Sequence, residues 1–343
     1  MARTNESEPN NFFAQRDVAS PDQRTFGGSI ATTLDVDFLS YWSLPTNASS
    51  GGTATFDALL RGGFTGGGTL YDGMLAQLNE SGGIIQYNDD SAGYDARLSG
   101  SVASNGRLNF VVTSYADFDF NGGGYYTGSY NLELQIFIAG SGSGNTLRGT
   151  GWAESIQGGG GGDVIYGGGG DDQIWGYMRS GPSGTDGADR IYCEAGNDYA
   201  IGHNGNDLVD GGTGNDDIYG DTGNDTLIGG LGKDTMGGGA GNDIFRFNSA
   251  SESSVGSNRD IVFFKLPGAA LEDRIDLSAV YGGTLAWKGT GALVGASVRV
   301  LNGPSNQTIV QVSNDADNAV EMEIALADDA YTAVNYVAAD FIL

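Results

Sequence analysis

From Gly140 onward the chain repeats every nine residues, and no other feature restricts its fold so tightly. A fixed period means one small structural unit stacked on copies of itself, so it outranks any local reading of helix or strand. Aligned to G-G-x-G-x-D-x-U-x, with U a large apolar residue, the units begin with GGGGGDVIY at Gly158 and GGGGDDQIW at Gly167. After an eight-residue insertion, Gly176 to Ser183, come GTDGADRIY from Gly184, CEAGNDYAI from Cys193 and GHNGNDLVD from Gly202. GGTGNDDIY from Gly211, GDTGNDTLI from Gly220, GGLGKDTMG from Gly229 and GGAGNDIFR from Gly238 complete the run. Two weaker units precede it, GSGSGNTLR from Gly140 and GTGWAESIQ from Gly149, with Asn145 and Glu154 in the aspartate position. A flexible Gly/Asp linker would not hold Ile165, Ile174, Ile191, Ala200, Val209, Ile218, Leu227, Met236 and Phe245 at the eighth position.

In each unit the glycine-rich half suits a tight turn and the last three residues a short strand whose eighth residue points inward. Two units make one 18-residue coil, so alternate repeats stack and the sixth residues form two columns. One column is Asp163, Asp189, Asp207, Asp225 and Asp243; the other is Asp172, Asp198, Asp216 and Asp234, headed by Glu154. At a strand spacing of about 4.8 Å, neighbouring carboxylates repel by roughly 3 kcal/mol, so the roll is expected to need cations. The same turns offer backbone carbonyls at the first and third positions. These belong to Gly158 and Gly160, Gly167 and Gly169, Gly202 and Asn204, Gly211 and Thr213, Gly220 and Thr222, Gly229 and Leu231, and Gly238 and Ala240. Carboxylates plus carbonyls give the shell of six to eight oxygens that Ca²⁺ favours, whereas a flexible, carbonyl-rich cage does not impose the small octahedron of Mg²⁺. Each gap between column neighbours is a candidate site, which predicts about seven ions.

The charge balance agrees. Acidic residues number 43 against 16 basic ones, for a net charge of −27, so nucleic acid and anionic membranes are poor partners and metal cations good ones. With 39% hydrophobic residues the chain can nevertheless build packed cores. Cys193 is the single cysteine, so no internal disulfide is available. The opening MARTNESEPNN has no apolar core and no run of 18 apolar residues occurs. The expectation is therefore a chain without an N-terminal secretory signal or a membrane-inserted helix.

Outside the repeats the text is also β. Between Ile30 and Ile138 short apolar or alternating runs, such as Leu34–Phe38, Gly83–Tyr87, Arg107–Val112 and Tyr130–Ile136, are separated by Gly, Asn and Asp clusters. This pattern predicts an antiparallel β-sandwich of jelly-roll type. After Arg246, apolar strands return at 260–264, 274–277, 297–301, 308–312 and 320–326, suited to capping the open end of a solenoid. The expected division is a polar N-terminal arm over 1–28, the sandwich over 29–139, a right-handed parallel β-roll over 140–246 and a β cap over 247–343, an all-β chain throughout.

The nonapeptides resemble those of the repeat-in-toxin (RTX) family, whose repeats form a Ca²⁺-filled parallel β-roll. The segments Gly241–Ser249, Asn258–Ile261 and Glu272–Ser278 resemble the C-terminal domain of serralysin-type proteases. In that family an acidic residue followed by apolar ones at the extreme C-terminus accompanies type I secretion. Asp340, Phe341, Ile342 and Leu343 match that pattern and imply export by the type I machinery; read alone, they are an ordinary last strand. The front region is similar to the bacterial pre-peptidase C-terminal (PPC) domain through Asp35–Phe38, Tyr71–Leu75, Tyr87–Asp90 and Gly128–Leu132. Asn88, Asp89, Asp90 and Asp95 there could hold another Ca²⁺ or be merely solvated.

No catalytic residue is expected. A serralysin needs an H-E-x-x-H helix to carry zinc, and His203 is the single histidine, inside a repeat turn. Nucleophile–histidine schemes fail for the same reason, because Cys193 and His203 both occupy ordinary repeat positions. A carboxylate-pair glycosidase is formally open, but the acids already have a metal-binding task and no cleft-forming α/β region is read, so two non-enzymatic classes compete. One is an extracellular structural or adhesive component that assembles with its own kind as a surface layer, matrix or filament. The other is a soluble accessory module whose sandwich recognises a glycan or protein.

Overall fold

The computed structural model describes residues 17–18, 25–30, 37–41, 53–61, 73–78, 84–88, 96–102, 108–114, 128–177, 186–263, 273–303, 307–315, 317, 319–327 and 336–343. Among these residues the chain is all β apart from one 3-10 turn, Ala338–Asp340. It forms two compact units, Met1–Ile138 with Thr150–Ala153, and Ala139–Gly149 with Glu154–Leu343.

The first unit contains nine strands: β1 (Asp17–Val18), β2 (Thr25–Ile30), β3 (Asp37–Tyr41), β4 (Thr53–Arg61), β5 (Gly73–Leu78), β6 (Ile84–Asn88), β7 (Ala96–Ser101), β8 (Leu108–Ser114) and β9 (Gly128–Ala139). One sheet runs β3-β8-β5-β6 with β1 on its edge, and the other β2-β9-β4-β7, which is the jelly-roll order of two four-stranded sheets. Alternation along β4 buries Ala54, Phe56, Ala58 and Leu60, and along β8 it buries Leu108, Phe110 and Val112. The two faces meet where the Phe56 and Phe110 rings pack edge to face with centroids 5.5 Å apart. Side chains also tie the sheets together: Gln86 Nε2 donates to the Ser99 carbonyl and Asn88 Nδ2 to the Arg97 carbonyl, each at 3.0 Å.

The expected N-terminal arm needs correction. Thr25–Ile30 pairs antiparallel along β9, from Thr25 opposite Glu133 to Ile30 opposite Gly128, and Asp17–Val18 pairs parallel with β3. A strand with Gly27, Gly28 and Ser29 at its centre carries no alternation to read, because the ladder needs only backbone groups.

In the second unit every repeat contributes a strand, and alternate repeats build two parallel sheets. The first contains β10 (Thr146–Arg148), β12 (Val164–Gly169), β14 (Arg190–Ala195), β16 (Leu208–Asp210), β18 (Thr226–Ile228) and β20 (Ile244–Arg246). The second contains β11 (Ser155–Gln157), β13 (Gln173–Trp175), β15 (Tyr199–Asn204), β17 (Asp217–Thr222) and β19 (Thr235–Ala240). Register follows the repeat, with Ile165 beside Ile191, Ile191 beside Val209 and Val209 beside Leu227. All nine eighth-position residues from Ile165 to Phe245 are 0% exposed and fill the space between the sheets.

Coil stacking is close enough to dictate the fourth residue. At Gly214, Gly223 and Gly241, with φ of 135°, 145° and 150°, an added Cβ would sit 1.4–1.5 Å from the carbonyl oxygen of the same turn one coil back. Neither the dihedral nor the space admits a side chain there.

The repeats end at Arg246, but the coil does not, so roll and cap are one body rather than two. β21 (Asp260–Phe263) continues in parallel from β19, and β22 (Arg274–Asp276) from β20. Beyond β21 the second sheet closes through β26 (Met322–Leu326), β25 (Thr308–Ser313), β24 (Ser297–Asn302) and β23 (Ala286–Trp287). The first sheet closes with β27 (Phe341–Ile342).

Candidate metal centre

Each sixth-position residue sits where turn becomes strand, and its carboxylate faces inward. Its Oδ1 accepts the backbone N–H of the sixth residue one coil back. Along the first column, Asn145 donates to Asp163, Asp163 to Asp189, Asp189 to Asp207, Asp207 to Asp225, Asp225 to Asp243 and Asp243 to Asp273, at 2.6–3.1 Å. Along the second, Glu154 donates to Asp172, Asp172 to Asp198, Asp198 to Asp216, Asp216 to Asp234 and Asp234 to Asp260, at 2.7–2.9 Å. The two columns read from the repeat are thus two hydrogen-bonded ladders, and none of their aspartates is more than 2% exposed.

Asp260 and Asp273 were missed by the repeat alignment. The segment carrying them has lost its glycine half; what survives is the triplet of aspartate, any residue and an apolar one, in Asp260-Ile261-Val262 and Asp273-Arg274-Ile275. They add one step to each column, giving nine steps between aspartates. The second column stops cleanly, because the Asp260 N–H donates to the Ser253 hydroxyl at 2.8 Å instead of to a further carboxylate.

The second oxygen of each carboxylate is the informative one. Oδ2 of Asp163, Asp189, Asp198, Asp207, Asp216, Asp225, Asp234 and Asp260 is buried and accepts no hydrogen bond from the described residues. The first-position glycines press against these atoms. At Gly158, Gly167, Gly202, Gly211, Gly220, Gly229 and Gly238 an added Cβ would lie 2.2–2.7 Å from Oδ2 of the aspartate in the same repeat. Gly176, at the head of the insertion, does the same for Asp189 at 2.2 Å. Glycine at the first position therefore clears the space around the second carboxylate oxygen.

Third-position carbonyls are already engaged once. Those of Thr213, Thr222, Leu231 and Ala240 accept the N–H of Gly196, Gly205, Gly214 and Gly223 at 2.8–2.9 Å, each keeping its second lone pair. Gly160 donates its N–H to the Ser141 carbonyl, Gly169 pairs with Ala195, and the Asn204 N–H donates to Asp186 Oδ2 at 3.0 Å. Glu154 heads the second column, 3% exposed, with a carboxylate oxygen 2.8 Å from where a Gly149 Cβ would be.

The electrostatics match the geometry. Asp163, Asp198, Asp207 and Asp234 are pushed up to about 6, Asp225 to about 7, and Asp189, Asp216 and Asp260 to about 8. Removal from water is the largest cause in every case, the backbone N–H opposes it, and the charge of neighbouring acids adds a smaller upward push. Burial rather than mutual repulsion thus dominates the penalty expected for the columns. Buried carboxylate oxygens without donors, in a cradle kept open by glycine and supplied only with oxygen ligands, fit a hard divalent cation of the size of Ca²⁺.

The other candidates fare differently. Asn88 donates to the Arg97 carbonyl, while Asp89, Asp90 and Asp95 lie outside the described residues. Asp340 is 4% exposed and accepts the Val337 N–H at 2.7 Å; Phe341 is 6% exposed, with its ring 4.8 Å from that of Trp287. Ile342 pairs with Asp276, and Leu343 follows it as the last residue. Cys193 is fully buried, its thiol pushed up by desolvation. His203 holds a left-handed second position (φ 75°) and is half-buried, with Nδ1 3.5 Å from Asp221 Oδ2.

Residues 148–177, 183–218 and 210–245 match the family model for the RTX calcium-binding nonapeptide repeat (4 copies). No curated protein matches the chain. Among solved structures, the AlgE6R3 subunit of the mannuronan C5-epimerase from Azotobacter vinelandii is 28% identical over 48% of this chain and 83% of that one, with a TM-score of 0.33. The roll carries RTX calcium-binding nonapeptide repeats, and the chain is a Ca²⁺-binding β-roll protein.

Proposed function

We propose that the protein is exported unfolded, folds on Ca²⁺ outside the cell, and serves there as a non-enzymatic structural or adhesive component. The observation that carries this reading is the row of buried Oδ2 atoms without donors. At neutral pH and low Ca²⁺ the columns oppose folding; with Ca²⁺ at a concentration well above its dissociation constant, binding to the folded state alone reverses the balance. The nine steps between aspartates are the ion sites, two more than the repeats alone suggest. The residues at the C-terminus support type I export of an unfolded chain: once folded, Phe341 and Asp340 are buried and cannot be read by a receptor.

Electron microscopy of the purified full chain, with and without millimolar Ca²⁺, tests the structural role. Ordered polymers or sheets that appear with Ca²⁺ and dissolve in EGTA are expected. A protein that stays monomeric at high concentration in Ca²⁺ would instead be an accessory module.

A further inference from the structure

Along the second column, the first position of the unit is glycine at every coil but one. In the units headed by Gly149, Gly167, Gly211 and Gly229 an added Cβ would lie 2.5–2.8 Å from a carboxylate oxygen of the sixth residue in the same unit. Cys193 heads the remaining unit, and it carries that Cβ and a sulfur besides. Strand pairing sets it in line with the glycines: Tyr166 stands beside Tyr192 and Gly168 beside Glu194, while the Thr213 N–H of the next coil donates to the Glu194 carbonyl at 2.8 Å. Ile191 points into the roll and, by alternation along β14, so does Cys193; both are 0% exposed. The side chain therefore enters the space that glycine keeps clear elsewhere in the column.

The carboxylate of the same unit is partnered on one oxygen only. Asp198 Oδ1 accepts the Asp172 N–H at 2.7 Å, so the ladder passes through this coil intact. Its Oδ2 is buried and accepts no hydrogen bond from the described residues, the thiol included. Asp216, the next carboxylate of the column, repeats the arrangement: Oδ1 accepts the Asp198 N–H at 2.8 Å, and Oδ2 is buried without a donor. Desolvation holds the Cys193 thiol well above its usual range, and among the charges that add to this Asp198 comes first and Asp216 second, ahead of Asp172. The sulfur thus belongs with the step from Asp198 to Asp216 rather than with the step before it. With one cysteine in the chain, no other step is built in this way.

We infer that the step from Asp198 to Asp216 is a mixed sulfur–oxygen site, holding a thiophilic divalent cation of the Zn²⁺ class through Cys193 Sγ, Asp198 Oδ2 and Asp216 Oδ2, while the other steps hold Ca²⁺. Ca²⁺ is a hard cation that takes six to eight oxygens, and here a Cβ and a sulfur occupy part of the room for them. Thiolate and carboxylate together are ordinary ligands of Zn²⁺, which needs only four. Binding releases the thiol proton to solvent, and the cation's attraction for the thiolate offsets the burial that otherwise keeps the sulfur protonated. This assignment rests on the columns being ion sites, but on no structural or adhesive role.

The test uses the full chain folded in millimolar Ca²⁺, with Cd²⁺ as the probe, because sulfur-to-cadmium charge transfer absorbs in the ultraviolet where carboxylate ligation does not. One equivalent of Cd²⁺ is expected to bring in this absorbance and excess Zn²⁺ to bleach it. Cys193→Gly and Cys193→Ser should each abolish it with the far-UV circular dichroism unchanged. Asp216→Asn, which keeps the ladder oxygen, is expected to weaken Cd²⁺ about tenfold, and Asp225→Asn in the other column not at all. Elemental analysis after gel filtration in Ca²⁺ alone should find one Ca²⁺ fewer per chain in the parent than in Cys193→Gly, which restores the residue usual at this position. A parent whose β signal ignores Ca²⁺ would defeat the reading of the columns as ion sites. A parent that folds on Ca²⁺ yet shows no sulfur-to-cadmium absorbance, or one that excess Zn²⁺ leaves unchanged, would overturn the mixed site alone. Equal Ca²⁺ content in parent and Cys193→Gly, or equal Cd²⁺ affinity in parent and Asp216→Asn, would overturn it as well.

Discussion

A single aspartate in the columns carries two tasks on two oxygens, and they can be separated. Oδ1 of Asp216 holds the Asp198 N–H; Oδ2 has no donor. Asp216→Asn retains an oxygen for the first task and removes the charge needed for the second. It is expected to raise the Ca²⁺ midpoint for folding while making the metal-free roll easier to form. Asp216→Ala loses both and leaves a buried N–H unsatisfied, a further cost of about 1–3 kcal/mol. Joint replacement of Asp207 and Asp225 by Ala should lower both the cooperativity and the stability of Ca²⁺-loaded protein far more than Asp217→Ala, whose side chain is exposed. Calorimetry and Ca²⁺ titration read both effects, and equal losses would remove the columns from the metal site. The pH dependence follows from the same atoms. Carboxyls raised from 3.8 to about 6–8 hold their protons more tightly folded than unfolded, so the metal-free roll is favoured at the acid end. That support fades as pH rises through about 6 to 8, and above this range the full charge opposes folding. In EGTA, lowering the pH from 9 to 5 should restore β signal without metal, whereas Mg²⁺ at neutral pH should not.

At the scale of the element, the turn is what the sequence specifies most strictly. Gly214→Ala would place a methyl 1.5 Å from the Gly196 carbonyl at a φ of 135°, forcing two coils apart. A loss above about 4 kcal/mol is expected by thermal denaturation in Ca²⁺. Gly142→Ala and Gly151→Ala, where a Cβ meets nothing within 4 Å, should be nearly silent. This contrast explains how much could be read in advance. The eighth-position core, the two columns and the parallel stacking were legible because nine-residue spacing converts directly into position in space. Two elements were not. β2 leaves no trace in apolar patterning, since Gly27, Gly28 and Ser29 pair through backbone alone, and Asp260 and Asp273 stand in register only after connections that break the 18-residue step. A ladder of fifth-position asparagines, in which the Asn224 N–H donates to Asn206 Oδ1 and the Asn242 N–H to Asn224 Oδ1, was hidden for a different reason: a fifth-position residue looks variable until the coils are stacked and its amide is seen to meet the next N–H.

Across the whole second unit the ladders share one polarity. The N–H belongs to the earlier coil and the oxygen to the later one at every step from Asn145 to Asp273 and from Glu154 to Asp260. The far end is anchored by Ser253, whose hydroxyl takes the Asp260 N–H and donates to the Glu323 carbonyl, and by β27, where Phe341 meets Trp287. Phe341→Ala should therefore weaken the entire roll by about 3–5 kcal/mol rather than fray one strand, a distinction hydrogen exchange along β12 to β20 would reveal. Such a structure is built like a row of people each leaning on the person behind. Remove someone at the front and the row stands; remove the one at the back, who leans on a wall, and all of them fall. Coils cut away from the N-terminal side of the roll should leave the remainder standing, and a cut of the same length at the Ser253 end should bring down coils it never touches.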